Sequence, residues 1–163
     1  MRSKERTVLG RKKAHQKECV YTPRVALSPA GQELTIANSD GILHNIHTYS
    51  TKNPSFNKAQ PKFKKELKET FVHFEIIKVS CDVHGWINGW VVVYDHLYYA
   101  STDAQGVFTI TDVPPGDYEV QFWYETLGEA TQKVTARANE EAKVSVEMAL
   151  DFATAARRLW IIP

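Results

Sequence analysis

Short apolar or alternating runs, broken again and again by turn-forming clusters, constrain this chain more than any other feature. The runs fall at residues 20–27, 33–37, 42–49, 71–79 and 90–94, and turn signals such as Ser28-Pro29-Ala30-Gly31 and Asn38-Ser39-Asp40-Gly41 separate them. Pro, Gly, Asn and Asp preset the backbone angles of turns, and a period of two sends alternate side chains to one buried face. The pattern predicts an all-β sandwich. Residues 50–62 lack periodicity and read as a long loop, and the charged stretch 62–68, with Phe63 and Leu67 as apolar members, reads as an exposed strand or a short helix. With 43% hydrophobic and 11% aromatic residues in 163, the chain can bury a core.

Two runs end in metal-ligating residue types. His44 lies in Leu43-His44-Asn45-Ile46-His47, and Cys81 follows the run at 74–80 and leads Cys81-Asp82-Val83-His84. A soft thiolate and two imidazoles arranged trigonally, with at most a weak axial donor, suit both Cu(I) and Cu(II). Little ligand movement then accompanies a change of oxidation state, which favours fast electron transfer. The Cys-x-x-His spacing puts two of the donors on one tight loop between strands, and the first histidine comes from a different strand.

This trio resembles the ligand set of the cupredoxins over roughly residues 19–95, closest to the amicyanin and plastocyanin branch. There a His followed by Asn supplies the first ligand, as in His44-Asn45, and the loop in its shortest form reads Cys-x-x-His-x-x-Met. Cys81-Asp82-Val83-His84-Gly85-Trp86-Ile87 matches in length and carries Ile87 at the axial place. The resemblance implies a Greek-key sandwich holding one type 1 copper ion on His44, Cys81 and His84. It also implies that Asn45 ties the two ligand loops and that His84 is the exposed edge at which a redox partner such as a cytochrome or oxidoreductase docks; Trp86 and Trp90 read either as a hydrophobic rim there or as core packing. Ile87 removes a weak donor and adds a dry aliphatic group, which predicts a three-coordinate, high-potential site. Met148, in a separate segment, is a poor substitute. The competing reading is that Ile87 marks a lost centre whose fold survives as a metal-free structural or interaction subunit of a larger assembly.

The second half carries another resemblance. Thr102-Asp103-Ala104-Gln105-Gly106-Val107-Phe108, then Val113-Pro114-Pro115-Gly116-Asp117-Tyr118, looks like the carboxypeptidase regulatory-like module, a small transthyretin-like β-sandwich, over about residues 90–150. Asp-x-x-Gly and Pro-Pro-Gly make tight turns, and strands are expected at 118–124, 131–136 and 142–148. Such modules are ordinarily structural. The strand at 90–94 is shared with, or abuts, the copper domain. The expected organisation is a basic arm at 1–18, a cupredoxin-like domain at 19–95, the second sandwich at 96–150 and a docking tail at 151–163. The family usually has a further strand or two before Cys19, an edge that a partner chain is expected to supply.

Other readings stay open on the same residues. A zinc site of His44, His47, Cys81 and His84 has the right count, but an offset of three along a strand turns His44 and His47 to opposite faces. Cys19 and Cys81 could pair as a disulfide, at the expense of the thiolate. A Cys81–His84 nucleophile lacks an orienting acid, so no enzyme activity is expected. His15, His73 and His96 lack partners at metal spacing. Net charge is +1, with basic residues crowded at the N-terminus and acidic ones in the last third. Nucleic acid is not expected as a partner, because the basic arm lacks interleaved aromatics. No run approaches the length of a membrane span, and the first thirty residues lack the apolar core of a signal peptide. The family resemblance nonetheless implies a periplasmic or extracellular location.

Overall fold

The structure, a computed structural model, describes residues 13–96 and 98–149; most of the basic arm and the C-terminal tail lie outside the described residues. The chain divides into two compact units between residues 97 and 98.

Among the described residues of the first unit the turn signals separate nine strands: β1 (Lys13–Lys17), β2 (Val20–Thr22), β3 (Val25–Pro29), β4 (Glu33–Asn38), β5 (His44–Tyr49), β6 (Asn57–Gln60), β7 (Glu66–Thr70), β8 (Glu75–Ser80) and β9 (Asn88–Tyr94). They form two sheets of order β2-β1-β4-β7 and β3-β9-β8-β5-β6, the two layers of a Greek-key sandwich. Two pairings are parallel, β1 with β4 and β3 with β9; the rest are antiparallel. The strand before Cys19 therefore comes from this chain, with Ala14 and Gln16 buried and Lys13, His15 and Lys17 turned outward. The segment read as a loop contains β6, and the charged stretch after it becomes a strand that starts at Glu66.

Alternation fills the space between the sheets. Leu34, Ile36, Ile46, Leu67, Phe71, Ile77, Val79, Val91 and Val93 are buried together, with Cys81 and Ile87 at one end. Each such aliphatic side chain contributes about 1.5–3 kcal/mol when fully buried. Two glutamines bond across this core: Gln16 Nε2 donates to Gln60 Oε1 at 2.7 Å, and Gln60 Nε2 donates to the Ile36 carbonyl at 3.0 Å. These bonds link β6 to β1 and β4, hence one sheet to the other.

The loop after β5 is fastened to β8 by one carboxylate. Glu75 accepts from the amides of Thr51, Lys52 and Asn53 at 2.6, 3.2 and 3.2 Å. It also accepts from the hydroxyls of Ser50 and Thr51 at 2.5 and 3.0 Å and from Asn53 Nδ2 at 2.9 Å. Burial pushes this carboxyl up, but the donors together outweigh it and bring its pKa down to about 2.

The second unit holds β10 (Gly116–Tyr124) and β11 (Gly128–Ala136), an antiparallel hairpin. Its register pairs Tyr118 with Val134 and Phe122 with Ala130 on one face, and Phe108 meets Phe122 edge-on at 5.7 Å. Asp103 builds the expected turn: its Oδ1 accepts from the amides of Gln105 and Val107, both at 2.9 Å, and Gly106 takes φ +79°. The strand expected at 142–148 joins no ladder among the described residues. The strand that the two resemblances share, β9, already has both edges bonded, to β3 and to β8. None of the described residues of this unit is buried.

Candidate metal centre

Register brings the donors together. β5 pairs antiparallel with β8, His47 opposite Ser80, so the residue after Ser80 arrives beside the start of β5. His44 opens β5 directly after the Asn38–Gly41 turn, in which Asp40 N donates to Asn38 Oδ1 at 3.2 Å and Gly41 takes φ +68°. Cys81 leads the loop from β8 to β9, closed by Cys81 N to the Ile87 carbonyl at 3.0 Å and Ile87 N to the His84 carbonyl at 2.9 Å. That loop folds His84 back over the thiol.

Cys81 Sγ lies 3.8 Å from His44 Nδ1 and 3.7 Å from His84 Nδ1. One ligand atom from each of the three residues falls within 4.8 Å of the others. His44 is fully buried, Cys81 is 1% exposed and His84 is half-buried. The donor chemistry fits a metal. Bonds of about 2.3 Å to sulfur and about 2.0–2.1 Å to nitrogen, set trigonally, separate S from N by about 3.7–3.8 Å, the spacing seen here. Cys19 and Cys81 are both free thiols.

Ile87 is 1% exposed and belongs to the same core cluster as Cys81, so an aliphatic group closes that end of the sandwich. Asn45 joins the two loops: its Oδ1 accepts from the amides of Asp82 and Val83 at 2.6 and 3.3 Å. Asn45 Nδ2 donates to Asn57 Oδ1, whose own amide donates to Asp82 Oδ2, both at 2.6 Å. His47 is outside the cluster, with Nδ1 3.1 Å from both Asp82 carboxylate oxygens and its ring stacked on Tyr49. The bond from His47 and that from Asn57 hold the Asp82 carboxyl below the usual range. Trp86, 66% exposed, meets the His84 ring edge-on at 5.4 Å, and exposed Val83 stands in the same loop.

Sequence reasoning missed Asp40. Its Oδ2 is 2.9 Å from His44 Nε2, the nitrogen that faces away from Cys81. The same carboxylate accepts from the amides of Glu18 and Cys19, and Cys19, Asp40 and His44 form a second group of ligand-type atoms within 4.8 Å. The available signal was the four-residue offset from Asp40 to His44 across a Gly turn.

A two-layer sandwich whose Cys-x-x-His loop meets a histidine from the adjacent strand is a cupredoxin-like architecture, and its donor set points to a copper site. The family model of the carboxypeptidase regulatory-like domain matches residues 88–149, β9 included. Similar solved structures include a purple cupredoxin from Nitrosopumilus maritimus, 21% identical with a TM-score of 0.43, over 50% of this chain and 98% of that one. An oxidised amicyanin variant is 19% identical with a TM-score of 0.46, over 50% of this chain and 80% of its own. A copper-containing nitrite reductase from Thermus scotoductus is 19% identical with a TM-score of 0.44, over 52% of this chain and 22% of that protein. No curated protein sequence matches the chain. Among the described residues no helix is long and apolar enough to cross a membrane.

Proposed function

We propose that this protein is a mononuclear type 1 copper protein that carries single electrons between redox partners and is not itself an enzyme. The observation that carries the reading is the approach of one buried thiol to two imidazole Nδ1 atoms at 3.8 and 3.7 Å. His44, Cys81 and His84 would hold the ion, and Ile87, buried beside Cys81 in the same core cluster, would offer it no donor atom. Copper held there would supply a one-electron couple. The protein's part is to hold the donors still: Asn45 clamps the thiol loop to the first ligand strand, and the core around Ile87 keeps water from that side.

His84, half-buried and rimmed by exposed Trp86 and Val83, is the route by which electrons leave. A small apolar rim suits brief docking with a partner such as a cytochrome or another oxidoreductase. An extracytoplasmic location follows from the family resemblance. The functional units of this reading are a copper domain that takes in β1, and so begins by residue 13 rather than 19 and runs to about 95, a sandwich module at 96–150, and a docking tail at 151–163.

Copper titration of the wild type and Cys81→Ser, with reduction and reoxidation by a small inorganic couple, tests the function. One equivalent bound and cycled by the wild type, lost in the folded variant, supports it; equal behaviour of the two proteins sinks it. The other reading, a metal-free interaction subunit, draws on buried Ile87 where a weak donor is expected. It predicts no copper binding by either protein.

A further inference from the structure

We infer that Asp40 is a positioning residue for the centre: it fixes the His44 tautomer and makes that imidazole a stronger donor, lowering the reduction potential against the effect of Ile87. This inference rests on the copper reading for its second half; the first half concerns the protein's own atoms and stands without metal.

His44 is fully buried, and its two ring nitrogens face two different groups. Nδ1 points to the Cys81 thiol and Nε2 to Asp40 Oδ2 at 2.9 Å. A carboxylate only accepts, so Nε2 carries the ring proton and Nδ1 keeps its lone pair on the side of Cys81 and His84. Charge drawn from the carboxylate through the ring raises the basicity of Nδ1, as when a carboxylate backs a metal-bound histidine.

The carboxylate is held in place from a third strand pair. Glu18 N donates to Asp40 Oδ1 at 2.5 Å and Cys19 N to Oδ2 at 3.0 Å. These two amides form the β1–β2 turn, where Glu18 and Cys19 both have φ +55°, the left-handed region that favours glycine or asparagine. Neither residue is one of those. Two strained positions presenting both amides to one carboxylate make a cradle that keeps Asp40 from swinging toward solvent, and strain of this kind persists where surrounding bonds over-determine it. A carboxylate that receives two backbone amides and one ring N–H is a fixed acceptor for that ring nitrogen. A better donor stabilises Cu(II) over Cu(I), whereas the dry aliphatic Ile87 acts in the opposite sense.

The test uses the full chain in two states. Nitrogen-15 NMR of the metal-free protein should find His44 as the Nε2–H tautomer, retained in Asp40→Asn, which keeps an acceptor without the charge, and lost or mixed in Asp40→Ala. In the copper-loaded proteins Asp40→Asn should shift the Cu(II)/Cu(I) balance at least tenfold toward Cu(I), which raises the potential by about 59 mV for one electron. Cu(II) affinity in Asp40→Ala should fall about 10- to 100-fold, the usual effect of losing an outer-shell partner. If Asp40→Ala does not fold, the asparagine variant alone decides. An Nδ1–H tautomer in the wild type, or equal potentials in wild type and folded Asp40→Asn, overturns the inference. A wild type that holds Nε2–H and binds no copper instead overturns the copper function.

Discussion

Glu75→Gln is the substitution whose consequence can be worked most fully. The carboxylate collects three backbone amides, two hydroxyls and one side-chain amide from residues 50–53, while sitting at the start of the strand that delivers Cys81. Its folded pKa of about 2 lies below the ordinary 4.5. The folded state therefore binds the proton less well than the unfolded chain. Stability from this group is fully present above about pH 5 and is lost as pH falls through 4.5 toward 2. At about 1.4 kcal/mol per pKa unit the contribution is about 3 kcal/mol. Glutamine keeps one acceptor oxygen and turns an NH2 toward the amides, so the neutral-pH cost should be of that size, with the melting temperature falling by about 12 °C or more. Urea unfolding of both proteins between pH 2 and 7 measures it. The difference should be largest above pH 5 and shrink toward pH 2. A difference below 1 kcal/mol at pH 7, or one that does not vary with pH, would refute the reasoning.

Ile87→Met should add a weak axial donor at a site of nearly matched volume, costing under about 1.5 kcal/mol of stability and lowering the potential in a redox titration; an unchanged potential contradicts the axial placement. Asn45→Ala removes the acceptor shared by the amides of Asp82 and Val83. It should cost about 1–3 kcal/mol in urea unfolding and speed amide exchange at those two residues. At Gly89 a Cβ would stand 2.7 Å from the Arg24 carbonyl and 3.2 Å from the Tyr21 ring. Gly89→Ala must push β3 from β9 and should lower the urea midpoint by the equivalent of about 1–3 kcal/mol with an unchanged slope.

The elements that the sequence makes legible are those governed by local period and turn chemistry. Alternation in 33–37 and 75–80 places Leu34, Ile36, Ile77 and Val79 in the core, and the spacing Cys81-x-x-His84 brings both donors onto one loop. Asn45, near the start of β5, bonds the amides of Asp82 and Val83 in the β8–β9 loop. Less legible are features that depend on partners far along the chain. The parallel pairings of β1 with β4 and β3 with β9 leave no local mark, and β1 lies in a stretch whose charge hides its buried Ala14 and Gln16. β6 has the exposed pattern of a loop and becomes a strand only because β5 offers it an edge. Residues 142–148 alternate well, but alternation supplies no partner, and β9 is already bonded on both sides. Asp40 escaped notice because its role needs the β1–β2 turn as well as His44, and only the fold joins the three.

The visible absorption and electron paramagnetic resonance spectra of the purified protein, taken after addition of Cu(II) with an oxidant present, test the central claim most directly. An intense thiolate-to-copper band with narrow copper hyperfine splitting, absent in Cys81→Ser, is the result predicted for His44, Cys81 and His84 around one ion. A colourless protein that retains no copper under the same conditions would contradict it.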